Sequence, residues 1–466
     1  MGLTSSRYAK KRSPAYKSKK ELPCRHWVPY PGVMTVSGSG GRDGASDAVD
    51  VGRVVRAVDL TSVLRPCANL AQLSAARWWV DCQFLPYDDS RLMTCIALRD
   101  LDGSTPGGGA NRPAHLPPCT TNGVINVWNL GDKNKGCMTE IHRQTSLAQP
   151  HCQMTPDGGY VCYLETSGIV MRSIHKVQQY FTREAFFRSH IYHFCDMSPD
   201  EMFIATITRQ GSTFQLYVFS TPCFYSYKGA VCRDIFPGFL DGPDMHAECR
   251  FSPDSQMVAV SNSQGQLFVA AKSGPVMHQA VLVGDGGQRL AGARTFDFDP
   301  RFSHEVMALA TAGGGLSIVN LATGLTAWAR SLPEEVGEAA ALRYSPDGGL
   351  LAAAGSEATI GLFHSAGGET LQVLDAAGQC VHFAMRPLAG LGCYPAVLRL
   401  SFSHNASHLA AASEDGLVRI WHLPPSSASL QSLCRLKILR HVPLDKVGKL
   451  PLPARLCDYI LCCPIW

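Results

Sequence analysis

Hydrophobic and polar positions alternate in short runs through most of the chain, and the runs come in a recurring phrase. A short strand leads into a Ser-Pro-Asp-like turn, and an alternating strand, a polar loop and a third strand follow. The phrase reads CQMTPDGGYVCYLETSGIVMRSI at 152–174, CDMSPDEMFIATITRQGSTFQLYVF at 195–219 and CRFSPDSQMVAVSNSQGQLFVA at 249–270. It continues as FDFDPRFSHEVMALATAGGGLSIVNL at 296–321, LRYSPDGGLLAAAGSEATIGLFH at 342–364 and LSFSHNASHLAAASEDGLVRIWHL at 400–423. A stretched copy opens the series, CQFLPYDDSRLMTCIAL at 82–98 rejoined by NGVINVWNL at 122–130. Period-two alternation predicts strands with one face in a core, and Pro-Asp or Asp-Gly supplies the tight turns.

Pro156, Pro199, Pro253, Pro300 and Pro346 stand 43, 54, 47 and 46 residues apart. That is close to the roughly 40–45 residues of a four-stranded propeller blade, with loop insertions. No blade can bury its faces alone, so the copies must stack and close into a ring. We count seven blades, with residues 25–60 adding a strand or an eighth, irregular blade. Over 78–423 the pattern resembles the WD-repeat family, which implies an all-β propeller. No Trp-Asp and no Gly-His dipeptide occurs, and strand ends read Trp128-Asn129, Phe219-Ser220, Phe363-His364 and Trp421-His422. The hydrogen-bonded side-chain network of the family is therefore expected to be missing in most blades. Nearly all repeat residues are expected to be scaffold.

The pattern changes after RIWHL at 419–423. Pro424-Pro425 ends the strand, and Ser426, Ser427 and Ser429 offer N-cap oxygens. Leu430, Cys434 and Ile438 are spaced i, i+4, i+8 on one helical face, which Leu433 widens. Arg435, Lys437 and Arg440 lie off that face. Pro443 stops the helix, Gly448 relieves a turn, and Leu450-Pro451-Leu452-Pro453 is held extended by its prolines. Leu456, Tyr459 and Ile460 make a second helical face.

In order, spacing and placement this stretch resembles the SOCS box. Ser429, Leu430, Cys434 and Ile438 match that module's Ser/Thr-Leu-x-x-x-Cys-x-x-x-aliphatic pattern, and 450–453 matches its Leu-Pro-aliphatic-Pro pattern. The resemblance implies that Leu430, Leu433, Cys434 and Ile438 bind elongin C, accompanied by elongin B. It also implies that Leu450, Pro451, Leu452 and Pro453 select cullin-5 with its RING subunit. Burying one leucine in an apolar pocket gives about 1.5–3 kcal/mol, enough for a central anchor. Prolines that pre-set the second segment lower the entropy lost on docking. The competing reading is a helical hairpin that packs on the propeller and binds nothing. It explains the amphipathicity but not the Leu-Pro-Leu-Pro step.

At the other end, Met1-Gly2-Leu3-Thr4-Ser5-Ser6 fits a signal for myristoylation at Gly2. Seven basic residues and no acidic one occupy 1–20, and a polybasic stretch is the usual second membrane signal. A plain basic tail, or a nuclear-import signal built on KKR and KSKK, competes with acylation.

Composition adjusts this picture in a few places. With 466 residues, 45% apolar and 17% charged, the chain has material for one large repeat architecture. No apolar run approaches the roughly 18 residues of a spanning helix, and no apolar segment follows the N-terminus as in a secretory signal. The expected location is cytoplasmic, at the inner face of a membrane if Gly2 is acylated. None of the 18 cysteines sits at C-x-x-C spacing, so they read as reduced thiols in an intracellular core, and the sequon at Asn405 as silent. Charge is segregated, +7 over 1–20, +4 over 426–466 and −7 between, which does not suit a nucleic-acid surface.

No phosphate loop and no H-E-x-x-H site occurs. Asp100-Leu101-Asp102 starts like a calcium loop but has Thr105 for the glycine and Asn111 for the closing glutamate. His190, His193 and Cys195 read as strand residues, and Cys457, Cys462 and Cys463 as helix packing, so neither metal nor cofactor is expected. The long Arg99–Thr121 loop either shapes a substrate site or is disordered.

The expected organisation is a basic, disordered tail at 1–24, a propeller at 25–425 and a SOCS box at 426–466. The expected function is substrate recognition for a ubiquitin ligase, without catalytic residues, by holding a protein target near the charged enzyme. One rival is a membrane-associated signalling scaffold with a structural tail. Another is an enzyme in the propeller channel, which needs converging acidic or histidine side chains for which the sequence shows no motif.

Overall fold

The computed structural model describes residues 28–29, 33–35, 54–60, 77–99, 123–131, 137–144, 147–165, 168–174, 180–184, 191–210, 213–221, 231–235, 247–262, 266–271, 292–355, 359–375 and 396–423. Beyond these it describes 434, 438, 442, 444–447, 449–453 and 456–457. The strands form seven antiparallel sheets, each one blade. In chain order the innermost strands are Arg77–Leu85, Leu147–Met154, Ile191–Met197, Ala247–Phe251, Ala293–Phe298, Ala339–Tyr344 and Val397–Phe402. Each blade packs on the next, and blade 7 packs on blade 1, so the ring is closed. No described helix is long and apolar enough to cross a membrane.

Closure draws on both ends of the propeller sequence. Val54–Asp59 pairs antiparallel with Leu417–His422, from Leu417 opposite Asp59 to Trp421 opposite Val54, and so adds a fourth strand to blade 7. Val33–Thr35 pairs on its outer side. Val28–Pro29 pairs instead with Cys137–Gln144, on the outer edge of blade 1. The described strands between 28 and 59 therefore extend the first and last blades and do not form an eighth.

Seven apolar clusters fill the seven junctions between blades. In the strand His408–Ser413, Leu409 and Ala411 face blade 6 while Ala410 and Ala412 face blade 1. Alternation predicts one buried face, but in a ring both faces are dry. That is why such strands read as nearly unbroken apolar runs, as in doubly covered sheets. Packing also dictates a glycine at 355, where a Cβ would lie 1.6 Å from the Val336 carbonyl oxygen.

The Ser-Pro-Asp phrase folds into one repeated hairpin. In blade 3, Ser198 N donates to Phe203 O at 2.9 Å. The Ser198 hydroxyl accepts from Phe203 N at 2.9 Å and donates to Asp200 at 2.5 Å. Thr155, Ser252, Ser345 and Ser403 do the same with Asp157, Asp254, Asp347 and Asn405. One residue of each turn takes a left-handed conformation, glycine at 158 and 348 but Glu201, Ser255 and Ala406 elsewhere.

Candidate functional site

Two parts of the molecule carry candidate chemistry, the segment after the propeller and the channel through it. In the first, Cys434 and Ile438 are helical, one turn apart, and Val442 N donates to Ile438 O at 2.9 Å. Cys434 is exposed. Ile438 leans on a small core of Val447 and Cys457, joined by Val442, Leu450 and Leu452. Leu430, Leu433, Tyr459, Ile460, Cys462 and Cys463 lie outside the described residues, as do Gly2, Asp100–Asp102 and most of the loop to Thr121.

Leu444–Val447 is a turn of helix that the spacing did not reveal. Pro443, read as a stop, lies outside the described residues, as does Gly448. The Leu-Pro-Leu-Pro step is bent, not extended as expected. Leu452 N donates to Leu450 O at 2.8 Å, a three-residue turn around Pro451. The φ of proline suits an inverse γ-turn as well as an extended chain. Drawing both leucines toward Val447 and Cys457 selects the bend, and it leaves Pro451 and Pro453 exposed. Pro453 O then accepts from Leu456 N and Cys457 N at 2.9 and 3.2 Å, starting the next helical turn. The Cys457 thiol, directed at Val447 O at 3.6 Å, is taken up in packing.

The channel holds a cavity of about 370 Å³. One side chain per blade rings it, always two residues before the turn begins: Gln83, Gln153, Asp196, Arg250, Asp297, Arg343 and Ser401. At this level every junction carries a polar bond. Met154 N donates to Gln83 at 2.9 Å, Phe251 N to Asp196 at 2.7 Å, Tyr344 N to Asp297 at 2.7 Å and Phe84 N to Ser401 at 3.0 Å. Arg250 donates to Asp297 at 3.1 Å and Arg343 to Leu400 O at 3.3 Å. His151 Nε2 lies 2.7 Å from Cys195 O and completes the circuit.

Acidic and histidine side chains thus converge here, although the sequence shows no motif for them. They sit a full blade apart along the chain, so no local motif announces them. The repeat gives only their level, two places ahead of each turn for the ring and four for Asp81 and His151. His151 Nδ1 is 2.8 Å from Asp81, its ring stacks on Phe194 at 3.7 Å, and Arg399 lies 5.3 Å from that phenyl ring. Both imidazole nitrogens are occupied, which leaves neither to act as a base. Burial acts to raise the Asp81 carboxyl, but the His151 hydrogen bond and charge outweigh it and hold it below its ordinary range. Burial pushes Asp196 and Asp297 up to about 6. Cys82 and Cys249 are raised by burial, and Cys152 and Cys195 by contact with Cys95 and Cys162 and then by burial. Such thiols are inert, as the packed-core reading expects.

Trp128 donates to Thr94 at 2.7 Å, and the buried Arg419 ties Ser413 to Asp415. The buried Trp421 indole nitrogen has no hydrogen-bond partner among the described residues.

Three family models match parts of the chain. The WD40 domain of anaphase-promoting complex subunit 4 matches residues 302–386, the WD domain, G-beta repeat, matches 386–422, and the SOCS box matches 426–461. The chain is a WD-repeat protein that carries a SOCS box. Among curated proteins it resembles WD repeat and SOCS box-containing protein 1, at 45% identity over 60 residues in Danio rerio and 42% over 60 in Homo sapiens. Those matches span 13% of this chain and 14% of either relative.

Proposed function

We propose that this protein is a substrate receptor of a cullin-RING ubiquitin ligase. The propeller binds a protein target, and the SOCS box docks elongin B and elongin C and, through its second half, cullin-5. The observation that carries this reading is the joining of the two modules in one chain, with Cys434 exposed on a helix and Pro451 and Pro453 exposed on a braced turn. The receptor performs no bond chemistry. It raises the effective concentration of a target lysine at the charged enzyme. Acylation at Gly2 would set the assembly on the inner face of a membrane.

The test is affinity capture of the full chain beside a Leu430→Ala, Cys434→Lys double variant, read by mass spectrometry. Elongin B, elongin C and a cullin are expected with the parent chain only. Absence of elongins from both samples would overturn the reading and favour a scaffold whose tail is structural. Leu450→Ala with Pro451→Ala should keep the elongins and lose the cullin.

A further inference from the structure

The charges around the channel are unevenly paired. Asp81 has His151, while Glu248 and Asp297 share Arg250, with Arg343 3.5 Å from Asp297. Asp196 differs. It is 9% exposed, lines the cavity and accepts from Phe251 N, yet among the described residues no cationic group forms a salt bridge with it. Its neighbours around the ring are Gln153, which is neutral, and Arg250, which like His151 attracts it through space but whose two terminal nitrogens are bonded to Glu248 and Asp297. Water leaves such a site at a cost that only an opposite charge fully offsets. The cavity gives that charge a way in. Pro199, Pro253 and Pro346 of the turns line it together with Asp196, so it meets the face on which the turns lie.

We propose that Asp196 receives a lysine or arginine side chain, projected into the channel by a protein segment bound across the turn face. A long cation of this kind suits a channel with one wall carboxylate to which, among the described residues, no salt bridge is made. The Gln153 amide, on the next blade, supplies a neutral acceptor beside it. The inference rests on the reading of the propeller as the target-binding part, and it names the feature a target must display.

The probe is a set of immobilised, end-blocked decapeptide libraries with randomised flanks and a fixed central Arg, Lys, Gln or Glu. Full-length protein is expected to bind the Arg or Lys sets at least tenfold more than the Gln set. Asp196→Asn should reduce that ratio to near one. Gln153→Lys, which sets a cation of the protein's own beside Asp196, should do the same, with elongin capture unchanged in both variants. Equal binding to the Arg, Lys and Gln sets, or a preference that survives both substitutions, would overturn the proposal. Elongin capture separates the two ideas. Losing it while the cation preference holds sinks the ligase reading alone, and keeping it without the preference sinks this one.

Discussion

Asp196 and Asp297 both line the channel and show the same upward displacement, to about 6, through burial. For such a group the folded chain holds a proton that the unfolded chain has released. Between roughly 4 and 6 stability therefore falls as pH rises, and above 6 the full penalty stands. Asp254 and Asp81, both held low, act in the opposite direction, so the whole protein's profile is a sum. A difference isolates one group. Asp196→Asn keeps an oxygen for Phe251 N and removes the buried charge. It should exceed the parent by on the order of 2 kcal/mol at pH 7.5 and match it at pH 4, measured by denaturant unfolding. A constant offset across that range would show that the charge is not the cause. Individual residues were unequally legible. The Ser-Pro-Asp turns could be read because serine, aspartate and the left-handed residue all act within six positions. The ring of Gln83, Asp196, Arg250 and the rest could not, because its members meet only once seven strands share a register.

The segment after the propeller shows how far spacing carries an element. The i, i+4, i+8 stripe correctly anticipated helix at Cys434 and Ile438. It did not foresee that Leu450 and Leu452 would turn back on Val447, because that bend is chosen by burial and not by the prolines. Val447 is fully buried at the centre of this small core, and its carbonyl accepts from Leu450 N at 3.0 Å. Val447→Ala removes about two methylene equivalents, or about 1.5 kcal/mol. If the core braces the turn, the Leu450 amide should exchange with deuterium about tenfold faster, while propeller amides such as Ala411 keep their protection. Unchanged exchange at Leu450 would mean that the bend is held by local conformation alone.

Seven junctions, each with an apolar cluster and a polar bond, make closure the property on which the fold depends. The proline cadence made the blades legible from the sequence. The closing strand was only half visible, as a segment that adds a strand somewhere, because VVRAVD at 54–59 pairs with residues more than 350 positions away and no local pattern names its partner. Deleting residues 1–27 leaves every described strand in place and should leave the melting temperature unchanged. Deleting 1–60 strips the outer ladder of blade 7 and the Ala57 and Val58 contacts, and should lower it by more than 10 °C or prevent soluble expression. Equal melting of the two truncations would show that the ring closes without the N-terminal strand.

That ladder also has a direction. Val54, where the closing strand begins, lies opposite Trp421, just before the last strand runs out toward the SOCS-box tail. The chain enters the closing strand and leaves the last strand at the same end of an antiparallel pair. Tension between them therefore loads one rung at a time, as in opening a zipper, whereas forces at opposite ends would load all rungs in shear. A chain gripped just before Val54 and just after His422 would give way first at blade 7. The seam that completes the propeller is also its mechanical fuse.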